Sequence, residues 1–239
     1  MCGRYVATRG LDDLAAEFEA EDAVGSALRP DHNIAPTDAV PVVLTRHRSG
    51  HRDGPVVRQV RVARWGLVPS WAPDTRRAGK LINARAETVA ELPAFRSAVR
   101  RRRCLVPADG WYEWAPRPDG PGRQPTYLTP LSGDVVAFAG LYEIWGPDRL
   151  LTSSVVTTAA AGQLVAVHSR MPLLLPRRSW AAWLDPDRAD VTDLLVPDPG
   201  LVEGLELRPV GPAVGNVAND GPGLIERVRI PAEVAPTLF

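Results

Sequence analysis

Lysine is almost missing from this chain. Lys80 is the only one in 239 residues, so arginine carries nearly all the positive charge. A GC-rich coding genome accounts for that bias without any functional reading. Acidic and basic residues balance at 28 each, and the formal net charge is zero. There is no global field to draw in nucleic acid, so any such site has to come from local clustering. Arginine still suits phosphate, because its planar fork can bind two oxygens at once. Cysteine is scarce as well, with only Cys2 and Cys104. The four histidines, His32, His47, His51 and His168, do not pair with the cysteines at zinc-site spacing, so no metal and no cofactor is expected. No apolar run is long enough to span a bilayer, and no charged-then-apolar leader opens the chain. The expectation is a cytoplasmic protein with reduced thiols and no membrane partner.

The hydrophobic content of 45% supports a sizeable core. The length allows one large domain, and neither an internal repeat nor a break in composition divides it. Leu11, Leu14, Ala15 and Phe18 recur at helical spacing. Residues 40–44, 56–65, 126–128, 135–145 and 150–157 read as strands, as do short stretches near 205–210 and 224–230. Further helices are expected around Leu92, Phe95 and Val99 and over residues 177–184. The run Arg100–Arg103 reads as a solvated helix end, and His47 and His51 as solvent histidines in an exposed loop.

Three stretches carry potential chemistry. Cys2 stands directly behind Met1. If Met1 is removed, Cys2 holds an amine and a thiol on adjacent carbons, with ordinary pKa values of about 7.7–8.0 and about 8.5. The amine can form a Schiff base with an aldehyde, and the thiol can close on that imine to give a thiazolidine. Taken alone, this position reads rather as the plain start of an edge strand. Residues 104–114 read as one strand in which Glu113 shares the Trp111 face. A carboxyl there should be harder to ionise, as a general acid requires, unless it points to water. Two tryptophans, Trp65 and Trp71, bracket a Gly/Pro turn just before Arg76, Arg77 and Lys80. That combination suits core packing or a stacking platform for bases.

Six segments stand in order: Met1-Cys-Gly-Arg-Tyr, Asn33-Ile-Ala-Pro, Trp65-Gly-Leu-Val-Pro-Ser-Trp, Ile82-Asn-Ala-Arg-Ala-Glu-Thr, Cys104-Leu-Val-Pro-Ala-Asp-Gly-Trp-Tyr-Glu-Trp and His168-Ser-Arg-Met-Pro. In that order the chain resembles the SRAP family, the SOS-response-associated peptidase-like proteins. The resemblance implies a sensor of abasic sites in single-stranded DNA. It would trap the ring-opened sugar as a thiazolidine crosslink on Cys2 after loss of Met1, and so shield the strand from cleavage. It implies Cys2, Asn83, Glu113 and His168 as catalytic residues. Arg4, Asn33, Pro36, Trp71, Arg85 and Arg170 would be DNA contacts, with Pro36 near a wedge between bases. It further implies autoproteolytic, peptidase-like and lyase-type activity, and association with the nucleoid when bound to DNA. Ser169 and Ala218 depart from the family, where an acidic and a basic residue are common.

The fold expectation is a single α+β domain over residues 1–239, with a mostly antiparallel, barrel-like β core and peripheral helices, acting as a monomer. Two other functions fit the same residues. One is an N-terminal-nucleophile thiol hydrolase, in which the Cys2 amine serves its own thiol as base. The other is a non-covalent binding module in which Trp71, Arg85 and Arg170 hold single-stranded DNA.

Overall fold

The computed structural model describes residues 2–25, 28–48, 54–76, 78–117 and 120–229. Its elements begin with β1 (Tyr5–Ala7), α1 (Leu11–Glu17), β2 (Glu21–Asp22), β3 (Asp31–Ile34), β4 (Ala39–His47) and β5 (Val56–Trp65). They continue with β6 (Asn83–Arg85), α2 (Arg96–Arg101), β7 (Arg103–Ala108), β8 (Gly110–Pro116), β9 (Arg123–Pro130) and β10 (Val136–Trp145). β11 (Leu150–Ala159), β12 (Arg170–Pro172), α3 (Arg177–Leu184), α4 (Pro199–Glu203) and β13 (Leu205–Pro209) complete them.

Among the described residues the strands form two sheets. The smaller runs β13-β9-β8-β1-β3 and is antiparallel throughout. The larger runs β12-β11-β10-β7-β4-β5-β2, and a short parallel pairing of β5 with β11 closes its middle strands into a ring. β6 joins β11 in parallel, with Asn83 opposite Val155 and Arg85 opposite Thr157. The mostly antiparallel α+β expectation therefore holds.

The ring strands are apolar on both faces because both faces are covered. Val40, Val42, Leu44, Ala63, Trp65, Val106 and Phe138 pack with Cys2, Tyr5 and Trp111 of the smaller sheet. Val43, Val60, Leu105, Ala139 and Val156 face the other way, toward the helices. There Phe18 stacks on Trp180 at 4.5 Å between ring centroids. Aromatic pairs of this kind add to simple area burial.

Four local expectations are corrected. Residues 104–114 are not one strand. The chain turns at Asp109, so that β7 lies in the ring while β8 lies in the smaller sheet. The Asp109 carboxylate accepts from Thr8 N at 2.6 Å and Thr8 Oγ1 at 2.7 Å, which pins the corner. Gly110 follows it closely against β9: a Cβ there would lie 2.4 Å from Leu128 O. Second, Arg103 is not solvated but 3% exposed. It donates to the carbonyls of Trp183 (2.6 Å), Val99 (2.7 Å), Arg188 (2.8 Å) and Asp185, tying the ends of α2 and α3 to the ring. Third, His47 Nε2 lies 3.2 Å from Asp187 Oδ2, so this histidine faces a carboxylate, while His51 lies outside the described residues. Fourth, the stretch near 224–230 is a 3-10 turn at Pro222–Ile225 plus a single bridge from Arg227 to Val210, and Ile230 lies outside the described residues.

Candidate functional site at the N-terminal cysteine

The two sheets meet where β1 begins. Cys2 is fully buried there, and Met1 lies outside the described residues. Asn83 Nδ2 donates to the Cys2 carbonyl at 2.8 Å. Asn83 is itself held firmly, because Ile82 O accepts from Val155 N at 2.9 Å and from Trp65 Nε1 at 3.0 Å. Asn83 Oδ1 is buried and has no donor among the described residues, so one acceptor is aimed into the site. An orphaned buried acceptor is costly, and a ligand that donates to it recovers that cost.

Glu113 reaches the same place from β8, one strand away. Tyr5 pairs with Trp111, and Tyr112 N donates to Arg4 O at 2.9 Å, which sets Glu113 beside the chain segment that carries Cys2. Glu113 is 4% exposed, and burial raises its pKa, with Arg123 acting in the opposite direction. Burial also pushes the Cys2 thiol well above its usual range, and the Glu113 charge adds to that rise. The ordinary thiol value of about 8.5 would leave a little thiolate at neutral pH, whereas here the resting thiol is protonated.

His168 is half-buried just before β12. Burial lowers its pKa, helped by the charges of Arg123 and Arg170, so the ring is neutral at pH 7. The Arg170 N–H donates to Nδ1 at 2.8 Å, shorter than the 3.2 Å from Nδ1 to Arg170 O. The shorter contact makes Nδ1 the acceptor and leaves Nε2 carrying the proton.

The residues expected to touch DNA fall in two kinds of environment. Arg4 and Asn33 join each other: Arg4 donates to Asn33 Oδ1 at 2.8 Å and to Val214 O at 2.9 Å. Asn33, 3% exposed, donates onward to the carbonyls of Asn216 (3.0 Å) and Asn219 (2.8 Å). Together they fasten the segment after β13 across the smaller sheet. Arg170 is engaged with Glu87 through both carboxylate oxygens, at 2.6 and 3.0 Å, and with Thr157 O at 2.6 Å. Arg85 and Trp71 are instead open to solvent, Trp71 at 66%. Trp71 rides a loop pinned by Trp145 Nε1 donating to Ala72 O at 2.7 Å.

Pro36 opens a tight turn closed by Asp38 N donating to Ala35 O at 3.1 Å. Thr37, at φ 84°, occupies the left-handed position of that turn, which a β-branched residue fills only at a cost. The sequence offered no sign of this strain, nor of a role for Arg123, which begins β9. One depression in the surface, about 600 Å³, is lined by Glu19, Thr45, Arg58 and Leu184 among others and includes none of these residues. A strand of nucleic acid is held on an open face, so a site for one does not require a deep cavity.

The fold and site define a class: an α+β protein whose second residue is a buried cysteine held by an amide and flanked by a neutral-leaning carboxyl. The family model described as SOS response associated peptidase (SRAP) matches residues 1–217, and the chain belongs to that family. "Abasic site processing protein YoqW" of Bacillus subtilis is 34% identical over 233 residues, covering 95% of this chain and 99% of the relative. "Abasic site processing protein HMCES" of Xenopus tropicalis is 26% identical over 280 residues, covering 100% of this chain and 82% of the relative. A crystal structure of a Bacteroides thetaiotaomicron protein matches with a TM-score of 0.80 at 23% identity, covering 95% of this chain and 100% of that one, a likeness of fold alone.

Proposed function

We propose that this protein processes abasic sites in single-stranded DNA by covalent capture. Removal of Met1 frees the Cys2 amine. The amine attacks C1′ of the ring-opened sugar, water leaves, and the Cys2 sulfur closes on the iminium to give a thiazolidine. Amine, aldehyde and thiol become one ring plus one water, with no oxidant or reductant. The observation that carries this reading is the meeting of Asn83 and Glu113 on Cys2. The names of the relatives, which are abasic site processing proteins, support it independently.

Each group has a task suited to its state. Most of an abasic sugar is a closed hemiacetal, and opening it needs a proton on the ring oxygen. His168 supplies it as the imidazolium: once it has taken a proton from solvent at Nδ1, where Arg170 O can accept, it gives the Nε2 proton and is left neutral. The Asn83 Oδ1 acceptor orients the attacking amine. Glu113, held closer to neutrality than an exposed carboxyl, gives a proton to the departing hydroxyl and then takes the proton of the thiol as sulfur closes. A protonated resting thiol fits this order, because the amine must act first. It suits the thiol-hydrolase reading poorly, since there the thiolate is the attacking species. Closure removes the iminium that would drive β-elimination, so the strand is shielded rather than cut.

Gel mobility of denatured protein with an abasic oligonucleotide tests the reading. A resistant shift with wild type and none with Cys2→Ala is expected. A resistant shift that survives Cys2→Ala sinks the proposed chemistry.

A further inference from the structure

The capture reading needs cations to receive the phosphates beside the lesion, and of the arginines expected to touch DNA only Arg85 is open to solvent. Arg170 is neutralised by Glu87, and Arg4 is spent on Asn33 and Val214 O. Arg123 is different. It begins β9 and is exposed. Its guanidinium reaches back along the hairpin, where one nitrogen donates to Trp114 O at 2.8 Å, the residue next to Glu113. That bond is its only hydrogen bond among the described residues, and none of their carboxylates pairs with it. The register of β8 and β9, with Trp114 opposite Pro125 and Pro116 opposite Arg123, sets this end of the hairpin just beyond Glu113. Its charge also opposes the proton on both Glu113 and His168, so it lies within electrostatic reach of the two proton-handling groups.

We propose that Arg123 is a phosphate-binding residue of the capture site, holding the backbone phosphate next to the abasic sugar while Glu113 and His168 act on the sugar itself. This rests on the capture reading. A guanidinium has five donors, and one bond to Trp114 O leaves enough for a two-point grip on a phosphate. The Trp114 bond fixes the fork in advance, so little side-chain freedom is lost when the phosphate docks. The same docking neutralises a positive charge that otherwise opposes a proton on His168, so arrival of the correct strand favours ring opening.

The test compares capture rates for wild type, Arg123→Ala and Arg123→Lys, with an abasic single-stranded oligonucleotide and with free 2-deoxyribose, which brings an aldehyde and no phosphate. Adducts are read by intact mass over a salt series. Arg123→Ala should slow oligonucleotide capture about tenfold at low salt and flatten the salt slope by about 0.7, the value for one lost phosphate contact on a single strand. Its capture of 2-deoxyribose should change less than twofold, and Arg123→Lys should recover most of the oligonucleotide rate. An unchanged salt slope in Arg123→Ala overturns the proposal, as does an equal loss with both aldehydes, which would put Arg123 in the chemistry instead. Absence of any Cys2 adduct in wild type with either aldehyde overturns the capture reading, and this inference with it.

Discussion

Replacing Glu113 with glutamine should make the protein more stable and less active at once. The side chain is 4% exposed, and burial raises its pKa above the ordinary 4.5. A raised carboxyl pKa means that the folded state holds the proton more tightly than the unfolded chain does. The penalty for ionising it in the fold is therefore absent below about pH 4, where both states are protonated. It grows as pH rises from the unfolded value toward the folded one and is complete above the folded value. Glutamine keeps the shape and removes the charge. At pH 8 the gain should be about 1 kcal/mol, the scale usual for relieving strain at a functional site. In a chain of this length that is a rise in Tm of about 2–4 °C. At pH 4 the two proteins should melt together. Capture of an abasic oligonucleotide by Glu113→Gln should slow by about 10²–10⁴-fold, the usual contribution of a general acid–base, and adduct reversal should slow with it. Thermal melts at both pH values and timed crosslinking check the two halves separately. A glutamine variant that melts lower than wild type at pH 8, or that captures and reverses at the wild-type rate, refutes the assignment.

Cys2→Ser should form a borohydride-trappable Schiff base but no lasting adduct, and nicked oligonucleotide should accumulate; a stable adduct would show that sulfur is dispensable. Arg103→Met should cost about 3–5 kcal/mol in denaturant melts, because several buried carbonyls lose their donor together, while capture at low temperature persists. Asn33→Ala should cost about 2 kcal/mol by loss of three hydrogen bonds, and hydrogen exchange should quicken across residues 212–220. Thr37→Gly should raise stability by about 1 kcal/mol by relieving the left-handed backbone, and slow capture wherever the rigid Pro36 turn matters; a lower Tm would mean the strain is not real.

Much of this was legible in the sequence where local pattern decides the outcome. The short apolar run of β4 stands out without any partner, and the placement of Glu113 on the Trp111 face needed only the two-residue period of a strand. The corner at Asp109 was not legible. The apolar run continues straight through it, and the break is made by partners far away in the chain, Thr8 and Leu128. Arg103 shows the same limit: its four acceptors include carbonyls 80 to 85 residues distant, so a row of arginines looked like a solvated helix end. The ordinary pKa of a thiol does not hold for Cys2 for a related reason, because burial in the core cluster it shares with Tyr5 and Trp111 sets it rather than neighbours in sequence. Arg123 escaped notice because only the β8–β9 register carries it back to Glu113.

The central claim is that Cys2, freed of Met1, is the atom set that bonds to the lesion. Intact mass of the protein after incubation with an abasic single-stranded oligonucleotide tests it most directly. The account predicts a protein lighter by one methionine and an adduct equal to that protein plus the oligonucleotide minus one water, mapped to Cys2. An adduct on protein that retains Met1, or one mapped to Lys80 or another residue, would contradict it.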